Sequence, residues 1–242
     1  MIMKIRYELP KKSKRKLSKK YYHRLSKKEI VLILLFSIIA SFISFIPIIP
    51  SEPIKIITTL FIFLIIITSS FYAKKIIGKK HALKIEHSIW ELKTFWFAKE
   101  SSYKKPIPLG IIFPFFLAIF SLGTIKPFSF FQFDYEEITS RRLVKDRGWK
   151  RGLRKEFAHE TDVANTASAG IWILLIIAII GYILSLFGIS LGEQLALYSL
   201  YYGLWNLLPI SNLDGAKIFF GTNGIWAVLT LLYLIGLIIL FI

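Results

Sequence analysis

The chain has 242 residues, 55% of them hydrophobic, with a formal net charge of +17 and no cysteine. Its mean hydropathy of +0.57, carried in long uncharged runs, points to a protein that crosses a membrane several times rather than to a soluble globular domain. The missing cysteines exclude disulfides, thiolate zinc sites and cysteine nucleophiles.

Residues 1–28 hold twelve Lys/Arg against one acid, Glu8. Such a block beside an apolar run reads as a basic cytoplasmic tail drawn to anionic headgroups. Its aromatics are confined to Tyr7, Tyr21 and Tyr22, and no nucleic-acid-binding motif accompanies the charge, so the expected partners are membrane lipids and not nucleic acid. No small-residue cleavage site follows, which argues against a signal peptide. Residues 29–242 form the membrane domain. Its first uncharged run, 30–50, is long enough to span a bilayer and ends at Pro47 and Pro50. A turn at Ser51-Glu52-Pro53 leads into the second, 56–73, followed by Lys74, Lys75, Lys79 and Lys80, which are placed to snorkel to the interface.

Residues 74–105 carry nine Lys/Arg and three acids. Within them, 85–97 mixes Trp90, Phe95 and Trp96 with charge, as an interfacial strand or amphipathic segment does. The run 106–125 is uncharged but contains Pro106, Pro108, Pro114, Gly110 and Gly123, a density of helix breakers that predicts a broken or re-entrant segment. Residues 126–163 return to mixed charge, with Arg141, Arg142 and Lys145 in a solvated loop. The run 163–190 opens with Ala164, Thr166, Ala167, Ser168, Ala169 and Gly170, small residues that let another helix approach closely. The runs 194–213 and 225–242 follow, the second after a turn signal at Asn223-Gly224. The expected fold is an all-α polytopic helical bundle with about five full spans plus the broken segment at 106–125. If that segment returns to its own side, Lys55 is the only Lys or Arg outside, and 31 of the 32 are cytoplasmic together with the N-terminus. The C-terminus then lies outside.

One stretch organises the chemistry: Asn206-Leu207-Leu208-Pro209-Ile210-Ser211-Asn212-Leu213-Asp214-Gly215. Pro209 lacks an N–H and crowds the carbonyl of Trp205, so a helix must kink or break there. Asn206 can donate to a backbone carbonyl freed by that break. Asp214 is the only acid between Glu193 and the C-terminus, and a carboxylate near membrane depth marks a functional site with a partner. The plainer alternative is an Asp214 that caps a helix starting at Gly215.

The decapeptide resembles the Asn-x-x-Pro-x-x-x-Leu-Asp-Gly element of the site-2 protease family, zinc metalloproteases that cut transmembrane helices within the membrane. Asn206, Pro209, Leu213, Asp214 and Gly215 all match, and the resemblance implies a site-2-protease-like bundle with Asp214 at the third zinc-ligand position. Ala169-Gly170 resembles part of the family's Ala-Gly-Pro, with Ile171 in place of the proline. The family's His-Glu-x-x-His, two ligands on one helical face with a glutamate base, does not occur in this sequence. The window that best corresponds to it is Ser70-Phe71-Tyr72-Ala73-Lys74. Phe71 has no proton to move, and the Lys74 ammonium repels a metal. His81 and His87 lie six residues apart, about 240° around a helix, and read with His23 and His159 as surface residues.

The resemblance therefore implies a non-catalytic relative with no catalytic residue and no cofactor. Its polar intramembrane site consists of Asn206, Asp214, Lys74 and Ser70, with other transmembrane segments as possible partners. In that reading Lys74 supplies the cation that Asp214 needs, with Asn206 or Ser70 satisfying the remaining hydrogen-bonding capacity. Two alternatives are an active intramembrane zinc metalloprotease with displaced ligands and a transporter-like protein, since broken helices and a membrane-depth acid also occur in transporters.

Overall fold

Charge, proline or a capping side chain fixes the ends of the helices into which the apolar runs fold. The computed structural model describes residues 24–46, 52–94, 102–138 and 158–241. The tail up to His23, the turn prolines Pro47 and Pro50, and the stretches bearing Phe95, Trp96, Arg141, Arg142 and Lys145 lie outside the described residues. Helix α1 (Lys27–Ser44) starts with a capping box: Ser26 Oγ accepts from Glu29 N–H, and Ser26 N–H donates to the Glu29 carboxylate. Helix α2 (Pro53–Lys80) has proline at its first position, where the missing N–H costs nothing. It runs well past residue 73, so Lys74 and Lys75 are helical and buried rather than part of a loop.

The described chain contains seven helices and four strands, which corrects the all-α expectation. Strand β1 (Leu83–Ile89) pairs antiparallel with β4 (Phe131–Glu137), and β2 (Leu92–Thr94) with β3 (Ser102–Ile107). The cause is a period of two hidden inside segments that look merely charged. Leu83, Ile85 and His87 face inward from β1, while Lys84 and Glu86 face outward.

Between the two long strands the chain makes an excursion through the short helix α3 (Leu109–Phe120). At its far end Lys126 Nζ donates to the carbonyl of Ser44, the last residue of α1. The chain then returns through Phe128, Ser129 and Phe130, all buried, to enter β4 beside β1. From Glu29 to Ser44 a helix rises about 23 Å, and an extended chain from 126 to 133 covers about the same distance. The excursion thus runs the length of α1 and comes back to its own end.

The remaining helices are α4 (Glu160–Leu186), α5 (Ser190–Asn206), α6 (Asp214–Gly221) and α7 (Asn223–Phe241). Helix α4 is central, packed on α2, α5 and α6. Among the described residues three helices, α2, α4 and α7, are long and apolar enough to cross a membrane, fewer than the five expected. Helix α1 falls short because Lys27, Lys28 and Glu29 occupy its first turn. Helix α5 falls short because the chain leaves the helix at Asn206, three residues before Pro209, so only 194–206 of the run 194–213 belong to this 17-residue helix and the rest is loop.

Candidate functional site

The loop after α5 is built around its proline. Leu207 N–H still bonds to Gly203 O at 2.9 Å, Ile210 N–H then turns back to Leu208 O at 2.8 Å, and Ser211 takes a left-handed conformation with φ 51°. The turn brings Gly215 against the start of its own loop: a Cβ there would lie 2.1 Å from Leu207 O. Only glycine fits, which gives the last residue of the motif a mechanical reason. The same carbonyl accepts a hydrogen bond from Trp226 Nε1 at 2.8 Å, tying α7 to the turn.

Asp214 is the first residue of α6, and Leu213 is the N-cap, with no side-chain capping bond. The helix-capping alternative is therefore corrected. The Asp214 carboxylate is buried, and Lys74 Nζ from α2 forms an ion pair with its Oδ2. Both side chains are almost fully removed from solvent, so Lys74 does not snorkel. Gly170 makes room for it: a Cβ at 170 would lie 2.3 Å from Lys74 Cε and 2.9 Å from Ser70 Oγ. The small residues at the start of α4 thus serve the approach of α2, as their composition suggested.

The other two proposed members behave differently. Asn206 Nδ2 donates to Phe128 O at 3.2 Å and to Tyr202 O at 2.7 Å. It clamps the returning, non-helical segment to α5 and does not touch Asp214. Ser70 Oγ is buried beside Lys74 without a hydrogen-bond partner, as is Asp214 Oδ1. The expectation that Asn206 or Ser70 completes the carboxylate's shell is corrected. Both amide hydrogens of Asn206 are already engaged, one by Tyr202 O a turn back in α5 and one by Phe128 O of the returning segment.

A second buried cluster adjoins the first, and its members were not identified from sequence. Glu29 receives four donors: Ser26 N–H at 2.7 Å, Lys75 Nζ at 2.6 Å, His87 N–H at 3.0 Å and His87 Nδ1 at 2.9 Å. Lys75 Nζ also donates to Arg24 O. His87 is a buried residue, which corrects its reading as a surface histidine. Its ring stacks on Phe71, with centroids 3.6 Å apart and planes 7° from parallel. Because Nδ1 faces a carboxylate, which only accepts, the ring proton sits on Nδ1, and Nε2 is buried with no partner. Burial lowers the His87 pKa to about 4, partly opposed by the Glu29 hydrogen bond and reinforced by the charges of Lys74 and Lys75. Glu29 stands ahead of the apolar run of α1. Burial would raise its carboxyl, but the bonds from His87, Lys75 and Ser26 bring it down to about 2. The signal that could have found Glu29 is the capping-box pattern Ser26-x-x-Glu29 before an apolar run. The signal for His87 is its inward register on an alternating strand.

Phe133 joins the two clusters. It is the register partner of His87 on β4, its carbonyl accepts from Lys217 Nζ at 2.5 Å, and Lys217 Nζ lies 3.6 Å from its ring centroid. Lys74 Nζ lies 5.7 Å from the same ring. A cleft of about 240 Å³ opens beside α6, lined by Tyr135, Glu160, Val163, Lys217 and Phe220 among others. His81 pairs with Asp162 at 2.9 Å at the start of α4, away from Asp214's partner.

The resemblance implies zinc at Asp214, and the residues present do not fit it. One carboxylate oxygen is taken by an ammonium, and among the described residues no three of His, Asp or Glu gather as a ligand set. Comparison with protein-family models, curated proteins and solved structures finds no match to this chain.

Proposed function

We propose that this chain is a non-catalytic relative of the site-2 protease family, an integral membrane protein whose metal centre has been replaced by a buried ion pair and whose role is to bind other transmembrane segments. The observation that carries the reading is Lys74 on Asp214. The residue at the last position of the degenerate window meets the aspartate of the Asn-x-x-Pro-x-x-x-Leu-Asp-Gly stretch, as two halves of a former metal site would. Supporting it, α2, α4 and α7 are long and apolar enough to cross a membrane, and the excursion through α3 begins and ends beside the same strand pair, as a re-entrant segment would. Non-helical backbone at membrane depth requires protein cover, and buried Phe128 and Asn206 supply it. The cleft beside α6, with Val163 and Phe220 at its apolar wall, is where another segment would dock.

Metal analysis of the purified full chain tests the replacement. The expected result is no stoichiometric zinc and no cleavage of a model transmembrane substrate. Near-stoichiometric zinc that Asp214→Asn abolishes would overturn it and restore the displaced-ligand protease.

A further inference from the structure

The strand pair β1–β4 sits between the two polar clusters, and one histidine holds it down. Among the described residues, the groups facing His87 come from four elements. From α1 comes Glu29, charged and bonded to both its N–H and its Nδ1. From α2 come Lys74 and Lys75, whose charges disfavour a cationic ring, and Phe71, stacked face to face upon it. From β4 comes Phe133, directly opposite in the register, with Lys217 of α6 behind that ring. The charged residues of the strands themselves point away: Lys84 lies between Glu86 and Glu136 on the outer face.

Neutral His87 suits this seat and the imidazolium does not. A second proton would have to sit on Nε2, which has no acceptor among the described residues. It would also add a cation beside Lys74 and Lys75, although Lys75 already neutralises Glu29. A buried cation whose one carboxylate is shared with Lys75 and whose second N–H has no acceptor is costly to hold, so the strand must lift to hydrate it. Because His87 and Phe133 are paired residues, lifting β1 carries with it the ring and carbonyl that engage Lys217 and lie over Lys74.

We propose that His87 is an acid-sensitive latch: its protonation releases β1–β4 from α1 and α2 and uncovers the Lys74–Asp214 pair. The latch is set by geometry independent of the family reading, and would operate whether the uncovered site binds a segment, an ion or only water.

The absence of native cysteine makes the test direct. Ser70→Cys places a thiol beside Lys74, and Glu52→Cys, in a separate copy, gives an exposed reference at the other end of α2. Both full-length proteins are reacted in detergent with a dithiodipyridine reagent, which titrates thiols in acid. Between neutral pH and about pH 4, the rate at position 70 relative to 52 is expected to rise about tenfold, a modest local opening. Adding His87→Asn, which keeps a donor toward Glu29 and takes up no proton, is expected to remove the rise. A rise that persists in His87→Asn, or no rise at all, would overturn the latch. Should the cysteine or asparagine variants misfold, hydrogen exchange on the unaltered chain decides. Corrected for intrinsic rates, acid is expected to deprotect 83–89 and 131–137 while α4 and α5 stay protected. Uniform deprotection, or none, rejects the proposal.

Discussion

Lys74 and Asp214 are direct ion-pair partners with both side chains almost fully buried, and that mutual dependence is measurable. Removing one partner of a buried pair typically costs about 3–5 kcal/mol, because it strands the other charge, whereas replacing both with apolar residues is often neutral. Lys74→Met and Asp214→Leu are therefore each expected to lower unfolding stability in detergent strongly, and the double variant to recover most of the loss. Simple additivity in the cycle would show that the pair is not coupled. Gly170→Ala is expected to act on the same contact from the other side. Its methyl would displace a lysine held in place by its ion pair, an overpacking cost of about 1–3 kcal/mol, seen as a lower melting temperature. The Lys74–Asp214 contact was legible in the sequence because a lone acid at membrane depth demands a cation. The partners of Asn206 were not, since they depend on where a distant segment, 126–130, turns back.

Elements in this protein are joined by single polar residues, and Glu29 ties three of them: α1 through Ser26, α2 through Lys75 and β1 through His87. The starts of α1 and α2 are legible, since charge and proline mark them, whereas their far ends are not: α1 stops at Ser44 and α2 runs on to Lys80. The sequence offers 85–97 as an interfacial strand or amphipathic segment but conceals β4 and the pairing, because the partner strand lies some fifty residues away. The burial of His87 has a consequence for pH. In the unfolded chain it titrates near its ordinary value of 6.5, and in the folded chain near 4. As pH falls through that window the unfolded state binds a proton that the folded state refuses. Stability is therefore full above 6.5 and declines toward 4, by roughly 3 kcal/mol for this one group. Chemical unfolding across the window should show that slope in the parent chain and a shallower one in His87→Asn. Equal slopes would mean that another group sets the acid limit.

At the scale of the whole molecule the question is which end faces the cytoplasm, and the strand register narrows it. Because 83–89 lies beside 131–137 residue for residue, the segment between them begins and ends at one face of the bundle. It contributes no net crossing. Ala158 N–H donates to the Glu137 carboxylate, so both ends of the stretch 138–158 are at that face too. The start of α1, with Glu29 bonded to β1, joins them, as does the start of α6 through Lys217 and Phe133. The turn before Pro53 and the turn at Gly188 lie at the opposite end. Among the described residues Arg24, Lys27, Lys28, Lys74, Lys75, Lys79, Lys80, Lys84 and Lys217 fall at the sheet end. Lys126, on the carbonyl of Ser44, joins Lys55 at the other, which corrects the expectation of Lys55 alone. By the positive-inside rule we propose the sheet end as the cytoplasmic one. With no native cysteine to mask, Lys145→Cys should react with a membrane-impermeant maleimide only after the cells are opened. Glu52→Cys and Gly188→Cys should react from outside on intact cells. Labelling of position 145 from outside would invert the molecule, and labelling of 52 and 145 from the same side would mean that α2 does not cross.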